Sequence, residues 1–70
     1  MKVAGSSVWY KGSEIHVPSI TQMRIGSDYL TIFADGYVPF IYGIDDSTLV
    51  LIDYLLEHTT SAQVLHYPEL

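Results

Sequence analysis

Apolar and polar positions alternate along the first two-thirds of this 70-residue chain, and the period changes near Asp45. Alternation predicts strands, because successive side chains of a strand point to opposite faces. Val8-Trp9-Tyr10 and Glu14-Ile15-His16-Val17 read as two strands flanking a turn at Lys11-Gly12-Ser13. Pro18 has no N–H to donate and ends or bends the second of them. Ile20 to Ile25 alternates again, with Thr21, Met23 and Ile25 on one face and Ile20, Gln22 and Arg24 on the other. Gly26-Ser27-Asp28 is the next turn. Tyr29 to Phe33 and Tyr37 to Tyr42 follow as a pair joined by Asp35-Gly36, a dipeptide suited to the positive φ values of a type I′ turn.

A two-residue loop at Asp35-Gly36 sets a register. Ala34 then faces Tyr37, Phe33 faces Val38, Thr31 faces Phe40, and Tyr29 faces Tyr42. One face carries Tyr29, Thr31, Phe33, Val38, Phe40 and Tyr42; the other carries Leu30, Ile32, Ala34, Tyr37, Pro39 and Ile41. A register one residue away would exchange the two faces. Both faces are apolar, whereas a sheet with one wet face alternates cleanly. Each face therefore needs a cover.

From Asp45 the period becomes helical. Asp45-Asp46-Ser47-Thr48 supplies an N-cap with acid in the first turn, which the helix dipole favours. A helix is predicted from about Asp46 to His58, with Leu49, Leu51, Ile52, Leu55 and Leu56 as its apolar stripe and Asp53, Glu57 and Val50 opposite. Thr59-Thr60-Ser61 reads as a loop and Gln63 to Tyr67 as a last strand, stopped by Pro68. The expected fold is one α+β domain over residues 1–70. It is a mostly antiparallel sheet of five to six strands, a meander that curls, packed by one C-terminal helix. A helix of this length covers one face of such a sheet. The other must be closed by curling into a small barrel or by a second copy or partner. The aromatic face of Tyr29, Phe33, Phe40 and Tyr42 is the candidate interface for a homodimer.

Composition sharpens this. Apolar residues make up 49% of the chain, with six Tyr, two Phe and one Trp, a content that excludes disorder. There is no cysteine, so no disulfide or thiolate metal site supports so small a core. The first seven residues lack an apolar signal core. The longest near-apolar run, Leu49 to Leu56, contains Asp53 and is too short to span a bilayer. These features point to a cytoplasmic protein, of a bacterium or an infected host cell, that avoids membranes.

Charge is unevenly placed. The net charge is -5, and Lys2, Lys11 and Arg24 are the only basic residues. Beyond Arg24 the chain holds Asp28, Asp35, Asp45, Asp46, Asp53, Glu57 and Glu69 and no cation. Such a chain is a poor direct ligand for nucleic acid or anionic lipid, which need cations. It suits a protein partner with a basic surface, for which Asp28, Asp35, Asp45, Asp46, Asp53 and Glu57 are the candidate contacts. The competing reading is that the acids only keep an apolar domain in solution.

No catalytic pattern emerges. His16, His58 and His66 lack metal-ligand spacing, no serine lies in a Gly-x-Ser-x-Gly elbow, and the five glycines are isolated. No catalytic, cofactor-binding or metal-binding residue is assigned, and no enzyme activity is expected. Two functions remain. One is a small acidic inhibitor of a basic, usually nucleic-acid-binding, surface. Compact acidic phage counter-defence factors, anti-CRISPR proteins among them, share this size and charge, although no motif connects them to this chain. The other is a homo-oligomeric structural or scaffold module. A single-stranded nucleic-acid binder stacking bases on Tyr and Phe is the remote third, and three cations make a poor groove for it.

Overall fold

The structure is a computed structural model that describes residues 1–59 and 62–66. Its strands are β1 (Lys2–Ala4), β2 (Ser7–Tyr10), β3 (Ser13–His16), β4 (Ile20–Ile25), β5 (Tyr29–Ala34), β6 (Phe40–Gly43) and β7 (Gln63–His66). The helix α1 spans Asp46–His58, and a 3-10 turn at Val17–Ser19 separates β3 from β4. The class is α+β. The expected single sheet is instead two sheets: a meander β1-β2-β3, and a four-stranded sheet ordered β6-β5-β4-β7. The break falls at Pro18, inside the 3-10 turn, where the chain leaves the first sheet and enters the second. The strand expected at Gln63 to Tyr67 is β7, parallel to β4; Thr60, Ser61, Tyr67 and Pro68 lie outside the described residues.

Two turns with similar sequences behave differently. Lys11 and Gly12 both have positive φ (49° and 80°), so Tyr10 pairs directly with Ser13 across a type I′ turn. At Asp35-Gly36 only Gly36 is left-handed (φ 83°), and Tyr37 N–H donates to Ala34 C=O at 3.1 Å, the pattern of a type II turn. Pro39 cannot donate, and pairing resumes only at Phe40. Phe40 therefore sits opposite Ile32, and Tyr42 opposite Leu30. This is one residue away from the register expected above. The aromatic face is split by it. Phe40 and Tyr42 turn into the core with Leu30, Ile32 and Ala34, while Tyr29, Thr31, Phe33 and Ile41 face outward. A second slip occurs in β4, where a bulge between Ile20 and Gln22 puts Ile20 on the buried side with Met23.

One apolar cluster joins all the parts. Val8, Tyr10 and Ile15 come from the small sheet, Ile20, Met23, Leu30, Ile32, Ala34 and Tyr42 from the large one, and Leu51, Ile52 and Leu55 from α1. Trp9 is not in it. Its neighbours Val8 and Tyr10 point inward, so strand alternation places Trp9 on the outer face between Lys2 and Glu14. Among the described residues, the large sheet is covered on one side only. On its other side Tyr29 and Ile41 are more than 60% exposed, and the Arg24 guanidinium lies 5.0 Å from the ring centre of Phe33.

Tyr42 marks a local mismatch. Its ring packs edge-on against Tyr10 at 4.9 Å, yet its hydroxyl is buried with no hydrogen-bond partner. Burial pushes its pKa up, and Ser13 stands near it without closing a bond. An unpaired buried hydroxyl is a net cost. Tyr42→Phe is therefore expected to stabilise the fold by about 1 kcal/mol, read as a higher midpoint in thermal unfolding; a lower midpoint would show that the hydroxyl is paired after all.

Candidate interaction surfaces

Helix α1 is fixed at its start by its own sequence. Asp45 is extended (φ -144°, ψ -177°), and its carboxylate accepts from the Thr48 N–H at 2.8 Å. Ser47 Oγ donates to the same oxygen at 2.8 Å, and Lys11 Nζ lies 3.4 Å from the other. The Thr48 N–H bond above all, then the Ser47 and Thr48 side chains and Lys11, holds the Asp45 carboxyl well below its usual range. The acid with most partners is thus a structural one.

A depressed carboxyl stabilises the fold when ionised. Its contribution is complete above the ordinary value of 3.8 and fades as pH falls below it. Asp45→Asn keeps a capping oxygen and removes the titration. The wild type should unfold at higher temperature than this variant near pH 6, and the gap should begin to narrow below pH 3.8 and still be largely open at pH 3. A gap independent of pH would show that Asp45 acts through shape alone.

The hairpin is tied to the helix from the inside. Tyr10 Oη lies 2.7 Å from both Ser47 Oγ and Thr48 Oγ1, and Thr48 Oγ1 donates to Gly43 C=O at 2.8 Å. Three hydroxyl protons serve four contacts. Thr48 and Ser47 commit theirs to Gly43 and Asp45, so the single Tyr10 proton is shared between the two helix hydroxyls. Thr48 is fully buried, and none of this network was read from the sequence. The available signal was its spacing: Thr48, Ile52 and Leu55 recur at i, i+4 and i+7, the buried stripe itself.

The outer face of α1 is a different surface. Asp46, Val50, Asp53 and Glu57 fall at i, i+4, i+7 and i+11 and so form one line along the helix. Leu49 and Leu56 flank that line. Both belonged to the expected buried stripe, but they are 50% and 41% exposed, and Val50 is 56% exposed. The small sheet and the large sheet meet α1 on the Leu51 and Leu55 side, leaving Leu49 and Leu56 beyond its edge. Among the described residues, the one ion pair is Lys11–Asp45, so Asp46, Asp53 and Glu57 carry no partner.

The six candidate acids do not form one patch. Asp28 C=O accepts from Ile44 N–H, which places Asp28 at the α1 start beside Asp45 and Asp46. Asp35 is at the opposite end of β5, and Asp53 and Glu57 are on the outer helix face. Of the four aromatic candidates, Tyr29 and Phe33 remain on the open sheet face, while Phe40 and Tyr42 belong to the core.

A shallow cleft of about 180 Å³ lies between the β1–β2 turn, the 3-10 turn and the end of α1, lined by Gly5, Ser6, Val17, Pro18, Tyr54 and His58. The His58 ring stacks on Tyr54 at 3.9 Å and its Nδ1 bonds the Tyr54 C=O at 2.8 Å. His16 Nδ1 bonds Ser19 Oγ at 2.7 Å within one turn. The cleft is smaller than the usual small-molecule site of a few hundred Å³. No group of three or more His, Asp or Glu side chains among the described residues is arranged to hold a metal ion. No helix among them is long and apolar enough to cross a membrane. Compared with protein-family models, curated proteins and solved structures, the chain matches none.

Proposed function

We propose that this chain is a non-enzymatic protein-interaction module whose α1 outer face docks on a basic, partly apolar surface of a partner protein. The supporting observation is the makeup of that face. Aliphatic side chains gathered on one helix face and rimmed by acids supply what an interaction site needs, apolar area to bury inside a polar border. Here Leu49, Val50 and Leu56 lie among Asp46, Asp53 and Glu57, and no cation is present. The acids steer encounter and select the partner; the aliphatic residues supply area to bury. A basic surface with apolar patches is typical of proteins that handle nucleic acid, so the module acts as an inhibitor or regulator of such a protein, as a phage-type counter-defence factor would, in the cytoplasm of a bacterium or infected cell.

The test is capture. The full chain is immobilised, nuclease-treated bacterial lysate is passed over it, and bound proteins are eluted with salt and identified. A basic nucleic-acid-handling protein eluting at moderate salt is expected. Asp53→Lys with Glu57→Lys should weaken its binding roughly tenfold or more, with the far-ultraviolet spectrum unchanged. Equal binding by this variant and by Asp46→Lys would overturn the electrostatic reading. Asp45 is left intact because it caps the helix.

A further inference from the structure

The strand β6 forms one edge of the large sheet. The Ile44 N–H donates to Asp28 C=O at 2.9 Å, which fixes the parity of the β5–β6 ladder. Phe40 and Tyr42 exchange their backbone bonds with Ile32 and Leu30, and Ile41 and Gly43 turn theirs to the outer edge. Thr48 Oγ1 reaches Gly43 C=O from that side. The Ile41 N–H, the Ile41 C=O and the Gly43 N–H have no hydrogen-bond partner among the described residues. Pro39, Ile41 and Gly43 are all exposed, and a Cβ added at Gly43 would meet open space. The strand carries no charge and no bulge; what blunts this edge is its shortness, four residues, and Pro39 just before it.

We propose that β6 is a self-complementary edge through which two copies of this chain join, antiparallel, about a two-fold axis at Ile41. In that register Ile41 bonds Ile41 of the second copy in both directions, and each Gly43 N–H donates to Pro39 C=O of the other copy. The two groups that cannot take part also face each other: Pro39 has no N–H, and Gly43 C=O is already held by Thr48. The pairing therefore leaves no backbone group unpaired, which a register centred on Phe40 or Tyr42 would not achieve. It is isologous and closes at two copies. It also sets the exposed Ile41 side chains, each 64% accessible, about 5.5 Å apart at their Cα atoms on the open face. The surface is separate from the outer face of α1, so the two readings stand or fall independently.

Sedimentation equilibrium of the full chain, from low micromolar to near-millimolar concentration, should show a monomer–dimer equilibrium. Ile41→Pro takes the outward N–H and the exposed side chain from the seam while breaking no bond to β5, and should weaken the dimer roughly tenfold or more, with its circular dichroism intact. Amide exchange on the wild type decides the matter even if that variant folds poorly. Exchange at Ile41 and Gly43 should slow as concentration rises, while exchange at the Asp35-Gly36 turn should not change. Asp53→Lys with Glu57→Lys should dimerise like the wild type. A monomer at every concentration, concentration-independent exchange at Ile41 and Gly43, or loss of the dimer in the helix-face variant would each overturn the proposal.

Discussion

Leu51→Ala is expected to lower the stability of this domain by about 2–5 kcal/mol, whereas Leu49→Ala, two residues earlier, should cost no more than about 1 kcal/mol. Leu51 is fully buried where both sheets meet the helix, and its loss leaves a cavity that a small core cannot collapse around. Leu49 is half exposed and touches that core only at its rim. A 70-residue domain has a total stability of roughly 4–10 kcal/mol. The first substitution therefore removes about half of it, and the second leaves the fold intact. Chemical denaturation of both variants measures the difference directly. Equal costs would mean that Leu49 is buried in solution, which would also remove the aliphatic part of the proposed docking face.

Thr48→Val should be the next most damaging change, costing about 1–3 kcal/mol although the two side chains have nearly the same shape. The hydroxyl of Thr48 is donor to Gly43 C=O and acceptor from Tyr10 Oη. Valine leaves the Gly43 carbonyl unpaired and hands the whole Tyr10 proton to Ser47. Tyr10→Phe should cost less, because Thr48 keeps its bond to Gly43 and Ser47 keeps its bond to Asp45. In the double variant the two costs should add to less than their sum, since both act on one shared contact. Full additivity, seen by denaturation of the four proteins, would show that the Tyr10–Thr48 contact contributes nothing.

The helix was legible in the sequence almost to the residue, because Asp45 caps it and the apolar period changes there. The Lys11-Gly12 turn was legible too, since its glycine and short loop fix the pairing around it. The faces of the large sheet were not. Their assignment depended on whether Asp35 would adopt a positive φ, and it does not; Pro39 then delays pairing until Phe40. A single residue of register moved Phe40 and Tyr42 from a candidate interface into the core. The Thr21 bulge is equally silent in a pattern of alternating residues. The split into two sheets was signalled by Pro18, read as the end of one strand when it also ends one sheet. The positions of the helix charges were read more robustly: Asp53 and Glu57 were placed on the outer side of the helix and lie there. Val50 was placed beside them and lies there, but the exposure of Leu49 and Leu56 could not be foreseen, because the extent of a buried stripe depends on how much of the helix circumference the sheets reach.

The parallel strand β7 also carries a kinetic consequence. It pairs Gln22 with Gln63 and Ile25 with His66, the most distant strand partners among the described residues, and no hairpin can bring them together. The β2–β3 and β4–β5 hairpins close through short loops, and α1 forms on its own period. Pairing β7 with β4 closes a far longer loop than either hairpin, so it carries the larger entropy cost and is expected to come last. Assembly of the large sheet thus ends at β4, whose free side stays an open template until β7 arrives. Until then Gln22 to Ile25 is the segment most exposed to pairing with the wrong chain.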